Sequence, residues 1–330
     1  MKNGSFIISL DFEMMWGALD LWTPNDYGKS NIVNVRTVIK RLVETFHKHS
    51  VHSTFATVGL IMLSGKEEAC KSTPEAKPSY DNDKLSPYMN SYISKIKDEL
   101  LYFAPDMISY LMSKPGVEVG SHTFGHYYCW ENGQTIEQFD ADIKMAVDIA
   151  NGKGLSIKSI VFPRNQVTEE YLDVCSKYGI EVYRGISPGF SRHPKNRIDS
   201  IFQRICRLAD TYLNIGGNSS ISYASIDLQH SIINIPSSRF LRPYSRALSF
   251  LDGLKLRRIK GEMIYAAKHG ELYHLWWHPH NFGSNIEENF KFLEKILMCY
   301  QECHLKYGME SYTMNEFAKQ IKQDEYTSRS

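Results

Sequence analysis

Two histidines four residues apart, His122 and His126, follow the β-branched run Val117–Val119 near the middle of the chain. Imidazoles at that spacing can face a single cation, either from one helical turn or from a loop capping a strand. Alone, such a pair is more often two unrelated histidines than a metal site. The weight therefore falls on what else could join it. An earlier strand-like run, Ser5–Leu10, ends in Asp11-Phe12-Glu13. Side chains alternate along a strand, so Asp11 and Glu13 share one side. Two adjacent carboxylates could be a cation ligand and a base, or simply exposed loop acids. Further reactive residues close later apolar runs: Arg164 in Phe162-Pro163-Arg164-Asn165-Gln166, Arg184 after Ile180–Tyr183, and the histidines of His274-Leu275-Trp276-Trp277-His278-Pro279-His280.

The elements that must position these residues are strands alternating with helices. Strand-like runs are expected at Ser5–Leu10, Ser53–Val58, Val117–Gly120, Ser159–Phe162, Ile180–Tyr183, Ile232–Ile235, Leu272–Trp277 and Ser311–Thr313. Helical periodicity is expected at 31–49, 93–112, 135–150, 169–178 and 286–307. Parallel neighbours require crossovers, so the alternation implies a parallel sheet or barrel. Seven or eight strands favour a distorted (β/α) barrel, with about seven parallel strands. The reactive residues then collect at carboxyl strand ends, the active-site face of such barrels. No linker divides the chain, so residues 1–330 read as a single catalytic domain with a polar insertion around 64–90.

Composition narrows the class. Of the 330 residues, 42% are hydrophobic and 23% charged, as in soluble globular proteins, and a net charge of +1 argues against wholesale nucleic-acid binding. The opening run is too short for a signal-peptide core, and no apolar stretch reaches the length of a membrane span. Six scattered cysteines (Cys70, Cys129, Cys175, Cys206, Cys299 and Cys303), with no Cys-x-x-Cys pair, read as reduced structural thiols. A cytoplasmic location is expected, including the inner face of the membrane.

In this order the motifs resemble the polysaccharide deacetylase family, the NodB homology domain of carbohydrate esterase family 4. The resemblance runs from Asp11 to His278 and rests on Asp11-Phe12-Glu13, His122-Thr123-Phe124-Gly125-His126, Phe162–Gln166 and Trp276-Trp277-His278-Pro279. It implies a distorted barrel, with Asp11 as catalytic base and Glu13, His122 and His126 as metal ligands. It also implies Arg164 as the group that orients Asp11, and His278 as general acid. The pattern departs from the family at two points. Phe12 separates the acids that are usually adjacent, and the residues flanking Arg164 differ. Some relatives with altered first motifs are amidohydrolases that have lost the metal.

Two histidines and a carboxylate leave an open position on a divalent cation, which lowers the pKa of water and polarises an amide carbonyl. Zinc is the first expectation, with cobalt, manganese or nickel as alternatives. His280 is the alternative general acid or a sugar contact, and His274 a buried support. Trp16 and Tyr127 are expected either to stack on a sugar or to pack in the core, and Trp276 to touch substrate. The expected reaction removes an N-acetyl or related N-acyl group from an amino sugar, nucleotide- or lipid-linked, as a precursor of a surface polysaccharide. A metal-independent amidohydrolase and a non-catalytic carbohydrate-binding protein are the alternatives. The basic segment 239–260 reads as a solvated helix face or a peripheral contact with anionic membrane lipid.

Overall fold

The computed structural model describes residues 3–186, 208–213 and 216–329. Among them a nine-stranded sheet is formed by β1 Ser5–Phe12, β2 Ser53–Thr57, β3 Val117–Ser121, β4 Ser159–Ile160, β5 Val182–Tyr183, β6 Ile233–Asn234, β7 Arg239–Phe240, β8 Leu272–Trp277 and β9 Glu310–Tyr312. Helices of these residues include α1 Val35–Lys48, α2 Lys66–Lys71, α3 Pro105–Met112, α4 Ile136–Gly152, α5 Glu169–Lys177, α6 Asp252–His269, α7 Ile286–Tyr307 and α8 Met314–Arg329. All the strand pairs are parallel. Every residue of β1 is buried, as expected for a strand covered on both faces.

The strand order is β6-β5-β4-β3-β2-β1-β8-β7, and β9 pairs with Ser5–Ile7 at the start of β1. The two ends of this order are consecutive in the chain. Ile235 N–H donates to Tyr183 O, and Ser237 N–H to Gly185 O, along β5 (both 2.9 Å). One residue later Ser238 N–H donates to His274 O, and Leu241 N–H to Trp276 O, along β8 (both 2.8 Å). The change of partner falls between Ser237 and Ser238, just after Pro236, which has no N–H to offer either neighbour. With β6 and β7 counted as one interrupted stave, the sheet is a distorted (β/α) barrel of about seven staves.

α1 buries Val35, Val38, Ile39, Leu42, Val43 and Phe46 on one face, at the spacing read from the sequence. Helicity over 93–112 is shorter than expected. Only Pro105–Met112 is α-helical, and three-residue 3-10 turns at Ile93–Lys95 and Glu99–Leu101 precede it. Pro105 explains the boundary, because it starts a helix well and cannot continue one. The polar insertion is packed against the histidine loop. Tyr80 is buried and its hydroxyl accepts from Tyr128 N–H at 2.9 Å.

Three basic residues of the segment 239–260, Arg239, Lys255 and Arg258, are turned inward, so they offer no charge to a lipid surface. Arg239 meets both carboxylate oxygens of Glu262 at 2.8 Å and lies 3.3 Å from Asp210. Arg258 pairs with Glu262 at 3.1 Å and Asp210 at 3.4 Å, and buried Lys255 pairs with Asp252 at 2.9 Å. Buried arginines persist only with such partners. Arg246, Phe250 and Arg257 are the outward part of the segment. No helix of the described residues is long and apolar enough to cross a membrane. Cys70, Cys129, Cys175, Cys299 and Cys303 are free thiols, and Cys206 lies outside the described residues.

Candidate active site

Ser9, Asp11 and Glu13 alternate along β1 and its end. Their side chains reach three other staves. Ser9 Oγ lies 2.8 Å from His274 Nε2 on β8, and Arg184 Nη1, just past β5, donates to the same Oγ at 3.1 Å. Asp11 accepts from Arg184 in a bidentate pair, Nη1 to Oδ1 at 2.6 Å and Nη2 to Oδ2 at 2.8 Å. Both side chains are buried, and Trp276 closes over the guanidinium, 4.2 Å from its ring centre. Burial alone would raise the Asp11 pKa. Arg184, joined by His122 and His278, outweighs it and holds the carboxyl below its ordinary value.

This overturns the expectation that Arg164 orients Asp11. Arg164 instead pairs with Asp20 at 2.7 Å and Glu131 at 3.2 Å and stacks on Tyr128. Its backbone sits in the left-handed region at φ 54°, followed by Asn165 at φ 53°, so the chain turns sharply after Pro163. The sequence marks Arg184 only as a strand-end residue, and its place just past β5 is the signal for its role.

Glu13 is the meeting point of three imidazoles. His122 Nε2 lies 3.0 Å, His126 Nε2 3.2 Å and His278 Nε2 3.4 Å from Glu13 Oε1. Burial would raise the Glu13 pKa, but His278, His122 and His126 together take it well below the usual carboxylate value. His278 Nε2 is also 3.8 Å from Asp11 Oδ2. Burial disfavours the charged form of His278, yet the neighbouring Glu13 and Asp11 push its pKa up to about 9. Asn281 Oδ1, an acceptor, lies 3.3 Å from His278 Nδ1, which turns Nε2 toward the carboxylates.

His122 Nδ1 lies 2.7 Å from the Val161 carbonyl. A carbonyl only accepts, so Nδ1 carries a proton and Nε2 is the ring atom turned to Glu13 Oε1. Nε2 can donate to that oxygen, or offer a lone pair to a cation placed between the two. Among the described residues, two groups have ligand atoms close enough for an ion: Glu13, His122 and His126, and Glu13, His278 and His280. The first is the set implied by the sequence motifs, and its donors suit a divalent cation.

The loop carrying His122 and His126 is irregular and held by side chains. Thr123 and His126 have φ values of 62° and 58°. Asp142 on α4 accepts from Phe124 N–H at 2.6 Å and Gly125 N–H at 2.9 Å. Thr123 Oγ1 accepts from Tyr127 N–H at 2.7 Å. Asp142 was missed in the sequence, although it sits on the buried face of α4 with Phe139, Ile143 and Ala146, where an acid needs a reason. Burial pushes its pKa up to about 7 against the two N–H donors that lower it. An acid whose folded pKa is raised makes folding less favourable as pH climbs from its ordinary value to the folded one. Replacing Asp142 with asparagine should therefore reduce the loss of stability between about pH 4 and pH 7, measured by urea unfolding across that range.

Gly17 was also missed. A Cβ built there would lie 2.0 Å from Glu13 Oε2 and 2.5 Å from its carboxyl carbon, so the glycine leaves the space the carboxylate occupies. Gly17→Ala should displace Glu13 and weaken metal binding roughly 10–100-fold, the range for disturbing a ligand's support, as read by competition with a fluorescent chelator.

The remaining expected contacts divide. Trp16 is buried and donates from Nε1 to Tyr102 O at 2.8 Å, and Tyr127 is buried with its hydroxyl on Gln134 Oε1 and Thr135 O. Both are core residues, which removes them as sugar contacts. Trp276 is partly exposed beside His278. His280 stacks on His278 with centroids 4.8 Å apart, and burial, then His278, lowers its pKa to about 3. His274 is the buried support expected, bonded to Ser9 Oγ and near Pro236 O.

No family model and no curated protein matches the chain. Among solved structures it is similar to a protein from Mycobacterium smegmatis provisionally assigned as a polysaccharide deacetylase. The identity is 10%, the match covers 98% of this chain and 92% of that one, and the TM-score is 0.57. It is also similar to a GH57-type branching enzyme from Pyrococcus horikoshii, at 12% identity, 97% and 70% coverage and a TM-score of 0.51. The fold shared with both is a (β/α) barrel. Within it, the fold assignment is that of the polysaccharide deacetylase, or NodB homology, barrel.

Proposed function

We propose that this protein is a metal-dependent hydrolase that removes an N-acetyl or related N-acyl group from an amino sugar. The observation that carries this reading is the convergence of His122, His126 and His278 on Glu13, beside Asp11 clamped by Arg184. Glu13, His122 and His126 would hold a divalent cation, zinc first and cobalt, manganese or nickel as alternatives. When bound, such a cation supplies Lewis acidity to an amide carbonyl and to water.

The chain's own residues supply the proton transfers. Asp11 takes a proton from the attacking water, and Arg184 keeps that carboxylate ionised and aimed. As the carbon–oxygen bond forms and the carbon–nitrogen bond breaks, the departing nitrogen needs a proton. His278 delivers it from Nε2, which faces both carboxylates, and Asn281 fixes the orientation of the ring. The acyl group leaves as a carboxylate and the sugar as a free amine. Trp276 and His280 flank His278 and form the substrate wall.

Glycoside hydrolysis uses two carboxylates free to act on either side of a glycosidic bond. Here one carboxylate is committed to Arg184 and the other to three histidines, which favours amide hydrolysis. We further infer a single catalytic domain acting in the cytoplasm on a surface-polysaccharide precursor, nucleotide- or lipid-linked. Any lipid contact would be made by Arg246, Phe250 and Arg257. The test is acetate release from a panel of N-acetylated sugars, nucleotide sugars and lipid-linked sugars, before and after chelation. Activity that survives complete metal removal would favour the metal-independent amidohydrolase. Biological function that survives Asp11→Asn would favour a carbohydrate-binding protein.

A further inference from the structure

Glu13 has imidazoles on both flanks, and the catalytic cation uses only one flank. In the strand order β3-β2-β1-β8, His122 and His126 come from the loop after β3. His278 and His280 come from the opposite side, just past β8, where a 3-10 turn at Pro279–Phe282 carries His280. The two rings of this second pair are stacked, with centroids 4.8 Å apart and planes at 19°. One nitrogen from each ring and one oxygen of Glu13 all lie within 4.8 Å of one another.

His280 is the member whose surroundings point to a ligand. It is only 9% exposed. Its backbone carbonyl accepts from Asn31 Nδ2 at 3.0 Å, but among the described residues neither ring nitrogen has a hydrogen-bond partner. Buried polar atoms are seldom left so. The neighbouring ring is already oriented. Asn281 Oδ1 accepts from His278 Nδ1 at 3.3 Å, which leaves Nε2 as the free atom, 3.4 Å from Glu13 Oε1. Two imidazoles and a carboxylate repeat the donor set of the first cation, and a carboxylate has lone pairs enough for two cations.

We propose that Glu13, His278 and His280 form a second, inhibitory cation site that shares its carboxylate with the first. Two imidazole donors out of three select zinc or nickel over magnesium or calcium. The site itself assumes nothing about the reaction; its inhibitory effect rests on the hydrolase reading above. In that reaction His278 carries a proton on Nε2 to the departing nitrogen, and a cation on the same atom displaces the proton. The second set is also looser than the first. His278 is 22% exposed, whereas Glu13, His122 and His126 are buried. Its bond to Asn281 is longer than the 2.7 Å between His122 Nδ1 and the Val161 carbonyl. Weaker support of a ligand costs roughly 10–100-fold in affinity, so dialysis should remove the second cation and leave the first.

The experiment titrates zinc into the chelator-stripped full chain, as wild type, His280→Ala and His278→Ala. Competition with a fluorescent chelator counts bound zinc, and acetate release from the panel of N-acetylated sugars is read in parallel. The wild type should bind two equivalents, the second roughly 10–100-fold more weakly. Acetate release should rise with the first equivalent and fall by about 10²–10⁴-fold as the second fills, the contribution of the general acid. Each variant should bind one equivalent. In His280→Ala, the ratio of acetate release at excess zinc to that at one equivalent should stay near one, whatever the variant's basal rate. Magnesium should neither bind nor inhibit at the same concentrations. One equivalent in the wild type overturns the second site and, where acetate is released, leaves the hydrolase reading intact. Two equivalents in either variant overturn the role of the replaced histidine. Two equivalents in the wild type without a fall in acetate release overturn the inhibition. A second equivalent that depends on both histidines, with no acetate release at any loading, supports the site and overturns the hydrolase.

Discussion

Replacing Arg184 with methionine should destabilise the protein by about 3–5 kcal/mol, the cost of stranding one member of a buried ion pair. Arg184→Met should also lower turnover at least a hundredfold, because Asp11 would no longer be held ionised or aimed. Arg164→Met should cost no more than about 1 kcal/mol, since its ion pairs are partly open to solvent. The two variants differ most clearly in their response to acid. In the wild type, Asp11 has a folded pKa below its ordinary 3.8, so its contribution is complete above that value and is lost as pH falls through the folded pKa. Without Arg184, burial dominates and the folded pKa rises. The variant should then gain stability relative to the wild type on acidification, the opposite slope. Urea unfolding at several pH values measures both effects. Equal losses from Arg164→Met and Arg184→Met would show that Asp11 does not depend on the buried pair.

The second large effect concerns the histidine loop. His122→Ala should abolish stoichiometric metal uptake and reduce N-acyl hydrolysis by three orders of magnitude or more, since removing one of three protein ligands undoes the site. Metal content after dialysis, measured by mass spectrometry, is independent of the assay substrate. A variant that keeps one equivalent of metal would move the binding site away from Glu13, His122 and His126. Conversely, His278→Ala should retain the metal while losing about 10²–10⁴-fold in turnover, the usual contribution of a general acid.

Where a residue's role follows from its place on a strand, the sequence was readable. The strand count led to the barrel, and the alternation of Asp11 and Glu13 with the strand-end positions of His122 and His278 brought these side chains to one end of it. What could not be read was partnership across the chain. Arg164 and Arg184 are both arginines beside strand ends, and only the turn at Pro163, with two left-handed residues after it, sends the first away from Asp11. Trp16 and Tyr127 sit next to motif residues, but the 3-10 turn Met14–Ala18 and the histidine loop rotate both into the core. Arg239, Lys255 and Arg258 looked like a basic surface because their counter-charges, Glu262 and Asp210, are supplied by tertiary packing. Gly17 and Asp142 carried weak signals, a glycine in a turn and an acid on an apolar helix face, that gain meaning only beside Glu13 and the histidine loop.

The interrupted stave around Pro236 also bears on how the barrel breathes. Arg184, which holds the base, lies on one side of that seam, and His278 lies beyond the other, just past β8. A stave that changes partners in mid-course carries a short hydrogen-bonded ladder to each neighbour, so it is the natural place for the ring to part transiently. Parting there would draw the base and the proton donor away from each other in a single motion. A ligand bridging Asp11 and His278 would act as a clasp across the opening, and amide exchange at Ile235, Ser237 and Ser238 should slow when one is bound.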